Sequence, residues 1–119
     1  DEDIGIEIGS FNNLGCNESF INLIGKTSLQ DAIDILAFTE KVVTNDSGLM
    51  HIAAAVKTPL VALFGPSSPE YTPPLISKKK ILRKTQGYEK VRYGSNEKGY
   101  HQSLLDIKPE EVLDALEAL

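Results

Sequence analysis

Short apolar runs alternate with segments in which apolar residues recur at helical spacing along this 119-residue chain. Short runs that contain β-branched side chains are typical of buried strands, whereas a period of about 3.6 residues indicates an amphipathic helix. The predicted strands span residues 20–24, 41–44, 59–64 and 80–83. The predicted helices span residues 1–11, 29–37, 48–56 and 109–119. This alternation predicts an α/β fold with a parallel sheet.

Each of the last three predicted helices has one apolar face that we expect to be buried. Thr27 and Ser28 are suited to cap the helix at 29–37, and Pro109 suits the first position of the helix at 109–119. The residues predicted to be buried are Leu29, Ala32, Ile33, Leu36 and Ala37 in the helix at 29–37, Leu49, Ile52, Ala53 and Val56 in the helix at 48–56, and Val112, Leu113, Leu116 and Leu119 in the helix at 109–119.

The stretch Thr44–His51 lies where a predicted strand turns into a predicted helix. The first backbone N–H groups of a helix lack intrahelical acceptors and carry the positive end of its dipole, so such a turn favours a bound anion. Ser47 is suited to the N-cap, and Gly48 places no side chain between the backbone and a ligand. His51 lies one turn further on, on the face of Ser47, and offers a donor or a positive charge. The turn is therefore a candidate phosphate site.

The alternative is an ordinary capped helix, which the spacing alone favours over ligand binding. A second loop, Gly65–Pro74, changes the balance because its glycine and prolines indicate irregular backbone directly after the next predicted strand. A right-handed strand–helix–strand crossover brings both loops to the same edge of a parallel sheet. Ligands of open α/β sheets bind at that edge, so the two loops together predict a binding site.

The chain is acidic overall, with 17 acidic and 12 basic residues, yet seven of the twelve basic residues lie between positions 78 and 92. This basic segment comprises Lys78, Lys79, Lys80, Arg83, Lys84, Lys90 and Arg92. A lysine-protected strand edge and contact with an anionic acceptor or membrane surface are both open interpretations of it. The sequence pI of about 5.0, without a recognition motif, argues against nucleic acid as a partner.

The remaining composition predicts a cytoplasmic, single-domain protein without a metal or cofactor. One cysteine, Cys16, leaves no partner for an internal disulfide and provides no zinc framework. The sequence contains no run of about 18 apolar residues that would predict a membrane span. It also shows no leader that resembles a signal peptide, and its length fits one core.

Three stretches together resemble the bacterial ADP-heptose:lipopolysaccharide heptosyltransferase family. They are Thr44–His51 with Asp-Ser-Gly-x-x-His, Pro59–Pro69 with Gly-Pro-Ser-Ser-Pro, and Gly99–Leu104 with Gly-Tyr-His-Gln-Ser. The third stretch is most similar to the heptosyltransferase II branch of the family. The resemblance runs through nearly the whole chain and is strongest from Thr27 to Pro74.

The resemblance implies a three-layer, Rossmann-like parallel sheet that forms the C-terminal half of a GT-B-type, two-domain glycosyltransferase. Residues 1–119 would be one N-terminally truncated nucleotide-sugar-binding domain that ends in the helix at 109–119. The implied reaction moves heptose from ADP-heptose to the inner core of lipopolysaccharide without a metal. The implied ADP-heptose-binding residues are Thr27, Asp46, Ser47, Gly48, Leu49 and His51.

Four of these residues have separate implied roles. His51 is the side-chain partner of a phosphate, and Asp46 orients the turn or accepts a hydrogen bond from a hydroxyl of the donor. The Thr27 hydroxyl reaches adenine or ribose, with a simple position beside the helix cap as the alternative. Leu49 packs on the adenosine or faces the core.

The resemblance also indicates what is missing from this chain. The family's general base is an aspartate of the N-terminal domain, and its phosphate-binding lysine precedes the matching segment, so no catalytic residue is assigned here. The chain alone is therefore predicted to be inactive in sugar transfer. Its implied partners are ADP-heptose, the lipopolysaccharide inner core and the missing N-terminal domain, with peripheral contact at the cytoplasmic face of the inner membrane left open.

Two other classes of protein are open alternatives. An epimerase-like nucleotide-sugar enzyme would keep a phosphate turn but should lack the Gly-Pro-Ser-Ser-Pro and Gly-Tyr-His-Gln-Ser stretches. A non-enzymatic α/β regulatory domain would use Asp46 as a modification or ligand site. A panel of sugar nucleotides separates the first alternative from the transferase, and absence of nucleotide binding would favour the second.

Overall fold

The computed structural model describes residues 21–85 and 101–119. The chain divides into two compact units, Asp1–Ala32 and Ile33–Leu119. Within the described ranges, no helix is long and apolar enough to cross a membrane. The predicted helix at 1–11 lies outside the described residues, and the interpretation of residues 1–119 as one domain stays a prediction.

The described residues alternate between helices and short parallel strands. The elements are α1 (Leu29–Phe38), β1 (Val42–Asn45), α2 (Gly48–Ala55), β2 (Leu60–Phe64), β3 (Lys79–Arg83), α3 (Gln102–Leu105) and α4 (Pro109–Glu117). The strands pair in parallel in the order β1-β2-β3, with Val42 opposite Leu60 and Leu60 opposite Lys79. The predicted α/β fold with a parallel sheet is confirmed, as is the helix that begins at Pro109.

The core lies on β2, the central strand of the described sheet. Alternate side chains of a strand point to opposite faces, and one face of β2 packs against α2. The buried core cluster on this face comprises Met50, Ala53, Ala54, Leu60, Ala62 and Phe64. Val61, on the other face, is also fully buried, and α4 packs against β2 and β3. Burial of each large apolar side chain stabilises the fold by roughly 1.5–3 kcal/mol. The packing of helices on the sheet agrees with the expected three-layer architecture.

Helix α1 begins with a reciprocal cap between Ser28 and Asp31. The Asp31 N–H donates to Ser28 Oγ at 3.1 Å, and the Ser28 N–H donates to Asp31 Oδ2 at 2.9 Å. The second donation lowers the pKa of Asp31 because it stabilises the carboxylate. The predicted capping role of Ser28 is therefore confirmed.

Helix α4 begins with a similar arrangement that also joins it to the sheet. The Lys108 N–H donates to Glu111 Oε2 at 2.8 Å, and Lys84, directly after β3, forms an ion pair with Glu111. These two contacts, the Lys108 donation first, lower the pKa of Glu111. The proline at the first position leaves no backbone donor unsatisfied there.

Part of the basic segment serves the fold. The Lys79 ammonium donates to the Pro74 carbonyl at 2.9 Å, and Lys84 makes the ion pair described above. These lysines lie on or beside β3, which is an edge strand among the strands described. Lys90 and Arg92 lie outside the described residues. Lys79 and Lys84 therefore have a structural role at this strand edge. Contact with an anionic surface stays a prediction for the other residues of the basic segment.

The strand predicted at 20–24 is wrong for the residues that the structure describes, 21–24. The Lys26 N–H donates to the Leu23 carbonyl at 3.0 Å, and Gly25 has a φ of 72°, a left-handed value that glycine adopts without strain. The segment therefore closes into a turn before α1.

Four apolar residues predicted to be buried are exposed instead. Leu29 is 66% exposed, Leu49 is 50% exposed and Leu113 is 59% exposed, whereas Met50 and Ala115 are buried. Ala37, near the end of α1, is exposed as well. Periodicity predicts that a helix has one apolar face, but it does not specify which residues at the margins of that face point to the core. Successive residues lie about 100° apart around the helix axis, so a modest rotation exchanges one neighbour for another. Which neighbour turns inward therefore depends on how the helix is rotated against the sheet.

Candidate functional site

Strands β1 and β2 end side by side at one edge of the sheet. Asn45 lies opposite Leu63, and the Asp46 N–H donates to the Leu63 carbonyl at 3.2 Å, so the ladder continues one residue beyond β1. The turn at Asp46 and the loop Gly65–Pro74 therefore leave the same edge. The predicted convergence of the two loops is confirmed, at the edge where open α/β sheets bind ligands.

Helix α2 starts directly from this edge. Ser47 holds the N-cap position with φ −157° and ψ 172°, but it makes no side-chain capping hydrogen bond to any described residue. The Met50 N–H donates to the Ser47 carbonyl at 3.1 Å, whereas the N–H groups of Gly48 and Leu49 lie where a helix offers no intrahelical acceptor. The amino end of α2 therefore presents donors, and the positive end of the helix dipole, to an anion.

The position of Gly48 is open. A Cβ placed on it would meet no described heavy atom within 4 Å, apart from its chain neighbours and the nearby backbone of its own helix, and its φ lies outside the left-handed region. Neither packing nor backbone conformation requires glycine here, although alanine is favoured over glycine within a helix by ~0.5–1 kcal/mol. The fold therefore does not explain the glycine at position 48. A ligand that approaches the backbone closely would explain it.

The other predicted site residues are placed as follows. His51 is exposed and lies on α2 one turn after Ser47, so both project from one face of the helix. Leu49 is half exposed, so of its two predicted environments the core is wrong. Thr27 is exposed just before α1, in the unit Asp1–Ala32, and its contact with a nucleotide stays a prediction.

Residues of the loop after β2 that were not predicted as site residues face Asp46 in the structure. The Thr72 hydroxyl donates to the Asp46 carboxylate and lies 3.3 Å from each of its oxygens. Asp46, Ser67, Tyr71 and Thr72 line a pocket of about 400 Å³. The position of the loop at the ligand edge pointed to this region, but no spacing in the sequence indicates which of its side chains reaches Asp46.

Gly65, at the start of that loop, is packed from two sides. A Cβ on Gly65 would lie 2.9 Å from Leu104 Cγ and 3.3 Å from Ser103 Oγ. The Thr85 hydroxyl donates to the Gly65 carbonyl at 2.8 Å. The Ser103 N–H donates to His101 Nδ1 at 3.2 Å, which caps the short helix α3. Ser103, the last residue of the Gly-Tyr-His-Gln-Ser stretch, and Leu104 therefore pack against Gly65 at the start of the loop.

Two further features bear on the choice of site. Within residues 21–85 and 101–119, no group of three or more His, Cys, Asp or Glu side chains is placed to hold a metal ion. A larger pocket of about 700 Å³ lies at the opposite edge, where α2 ends and β2 and β3 begin, with Ala55, Pro59 and Lys78 in its lining. The candidate ligand site is the smaller pocket with the adjoining helix end, because ligands of such sheets bind at the carboxyl ends of the strands.

A parallel α/β sheet with an open helix amino end and a carboxylate-lined pocket at the carboxyl ends of its strands belongs to the Rossmann-like class of ligand-binding folds. Comparison with known families makes the assignment specific. Residues 2–101 match glycosyltransferase family 9 (heptosyltransferase), and the chain belongs to this family.

The chain is similar to several curated heptosyltransferases. It is 54% identical over 120 residues to lipooligosaccharide heptosyltransferase 2 of Haemophilus influenzae, covering 100% of the chain and 35% of the relative. It is 56% identical over 98 residues to lipopolysaccharide heptosyltransferase 2 of Escherichia coli K12, covering 82% of the chain and 28% of the relative. The chain therefore spans about a third of the length of the curated relatives it matches.

A solved structure shows the same architecture. The structure of Escherichia coli ADP-heptose LPS heptosyltransferase II matches with a TM-score of 0.70 and 50% sequence identity. The match covers 82% of this chain and 26% of that one. It confirms the predicted fold class, part of a GT-B-type glycosyltransferase.

Proposed function

We propose that this chain is the donor-binding domain of a heptosyltransferase that transfers heptose from ADP-heptose to the inner core of lipopolysaccharide. One structural observation carries the proposal: Gly48 is open and lies in the first turn of a helix that starts at the ligand edge. Membership of glycosyltransferase family 9 supports it and favours a transferase over the epimerase-like and regulatory alternatives.

The turn at Ser47 and Gly48 suits the diphosphate of the donor. Cleavage of the glycosyl phosphate bond builds negative charge on the departing diphosphate, and the N–H groups of Gly48 and Leu49 stabilise that charge together with the helix dipole. Donors held in place before the reaction lower the barrier because they need no reorganisation. His51 adds a side-chain donor one turn further on, so this stabilisation needs no metal.

The remaining predicted residues are assigned to the nucleoside and the sugar. The exposed side chain of Leu49 offers apolar surface to the adenosine. Thr27 offers a hydroxyl to adenine or ribose. The Asp46 carboxylate would repel a phosphate at close range and therefore suits a hydroxyl of the sugar.

The acceptor side of the reaction needs a further part of the protein. A general base must remove the proton of the attacking hydroxyl, and none of the residues assigned above has this role. We assign the base to an N-terminal domain of the longer protein, so residues 1–119 alone should not transfer sugar. Peripheral contact with the cytoplasmic face of the inner membrane, through the residues of the basic segment other than Lys79 and Lys84, belongs to the same proposal.

Titration of the isotope-labelled full-length protein with ADP, followed through its amide NMR signals, tests the donor site. We expect saturable shifts centred on Ser47, Gly48, Leu49 and His51. Gly48→Asp should abolish them because it adds a negative side chain against the diphosphate. Leu75→Asp is the matched control, since Leu75 is 84% exposed and lines the pocket at the opposite edge.

A transfer assay with ADP-heptose and a heptose-deficient lipopolysaccharide acceptor tests the reaction itself. The full-length protein should release ADP and extend the acceptor, whereas residues 1–119 should not. Saturable ADP shifts that avoid α2, or no ADP binding by the full-length protein, would contradict the proposed donor site.

A further inference from the structure

Asp46 is tied to the loop after β2 by a single hydroxyl group. Thr72 Oγ1 lies 3.3 Å from Oδ1 and 3.3 Å from Oδ2 of Asp46, across 26 positions of sequence. A threonine hydroxyl carries one proton, for which the two carboxylate oxygens and, at 3.5 Å, the Ser68 carbonyl compete. The carboxylate keeps lone pairs for further donors. Thr72 therefore orients the Asp46 carboxylate without saturating it.

Thr72 is in turn held by a buried serine. Ser68 is 2% exposed, and its Oγ accepts a hydrogen bond from the Glu70 N–H at 3.2 Å. Its carbonyl accepts from the N–H groups of Tyr71 at 3.1 Å and Thr72 at 3.3 Å. These bonds fix the backbone at Thr72 and so bring its hydroxyl within reach of Asp46.

The pocket that Asp46 and Thr72 share has a distinct chemistry. Its described lining consists of one carboxylate, the hydroxyl side chains of Ser67 and Thr72, and the aromatic side chain of Tyr71. A carboxylate disfavours a phosphate but accepts hydrogen bonds from sugar hydroxyls. An aromatic ring offers an apolar surface for the C–H groups of a sugar. The lining suits an uncharged, hydroxyl-rich ligand.

We propose that Thr72 is a positioning residue that turns Asp46 toward the sugar of a bound nucleotide sugar, in the pocket walled by Ser67 and Tyr71. This inference rests on the proposed function and deepens it. The helix end at Gly48 takes the diphosphate, and the pocket beside it takes the sugar. Thr72 therefore affects recognition of the sugar and not that of the nucleotide.

The difference between the affinities for ADP-heptose and for ADP, measured by calorimetry on the full-length protein, isolates the sugar contact. Thr72→Val removes the hydroxyl and keeps the branched shape. We expect the affinity for ADP-heptose to fall about tenfold, the affinity for ADP to stay unchanged, and Thr72→Ser to restore the wild-type values. Thr39→Val is the matched control, because the Thr39 hydroxyl bonds the Ile35 carbonyl at the end of α1.

A double-mutant cycle tests whether Thr72 acts through Asp46. In an Asp46→Ala background, which removes both acceptor oxygens, Thr72→Val should cause no further loss of affinity for ADP-heptose. Equal losses for ADP and ADP-heptose, or no loss for either, would overturn the inference and leave the proposed function standing. Failure of the wild-type protein to bind ADP at all would overturn the proposed function, and the role of Thr72 with it.

Discussion

The substitution Gly48→Ala distinguishes a glycine kept for a ligand from a glycine kept for the fold. The added methyl group enters space in which no described heavy atom outside the local backbone lies within 4 Å. Alanine is favoured over glycine in a helix by ~0.5–1 kcal/mol, so the free energy of unfolding should stay constant or rise by up to that amount. The fold alone therefore gives no reason for a loss of function.

Binding should change in the opposite direction. In the proposed donor site, the methyl group would occupy the space that the diphosphate needs beside the N–H groups of Gly48 and Leu49. Loss of one hydrogen bond to a charged group costs about 1.5–3 kcal/mol, which corresponds to a rise of about 10- to 150-fold in the Kd for ADP. Isothermal titration calorimetry and thermal unfolding of the same preparations of full-length protein measure both quantities.

Gly65→Ala provides the contrasting control. Its Cβ would lie 2.9 Å from Leu104 Cγ, a branch point that cannot move without the rest of its side chain. Such overpacking should lower the free energy of unfolding by ~1–3 kcal/mol. An unchanged Kd for ADP in Gly48→Ala, or a loss of stability like that of Gly65→Ala, would refute the reasoning about Gly48.

The remaining predictions concern stability. Met50 is fully buried, so Met50→Ala should lower the free energy of unfolding in urea by ~2–5 kcal/mol, whereas Leu49→Ala should cost under ~1 kcal/mol; equal losses would contradict the orientation of α2. The Lys108 N–H, and to a smaller extent Lys84, lower the pKa of Glu111 in the folded protein. The ionised carboxylate therefore contributes fully to the free energy of unfolding above its usual pKa of 4.5, and this contribution is lost as the pH falls through the lowered pKa of the folded state. Glu111→Gln should therefore be less thermally stable than wild type at neutral pH, by a margin that narrows below pH 4.5; a constant margin would contradict this.

The sequence alone determined the kind and order of most elements and the place of the candidate site. Short β-branched runs, helical spacing and capping residues are local properties, so they predicted β1, α2, β2 and α4 correctly. The turn between β1 and α2 follows from the same local pattern. Because parallel strands such as β1 and β2 are joined by right-handed crossovers, the loop after β2 must leave the sheet beside the turn between β1 and α2.

Only the tertiary structure decided which side chains meet. The direction of Leu49 and Met50 depends on the rotation of α2 against the sheet, which a repeating pattern does not specify. Thr72 and Asp46 are 26 positions apart, and their contact depends on the path of an irregular loop anchored by a buried serine. Local sequence encodes backbone preference over a few residues, whereas packing between distant segments determines which of several suitable side chains reaches the site.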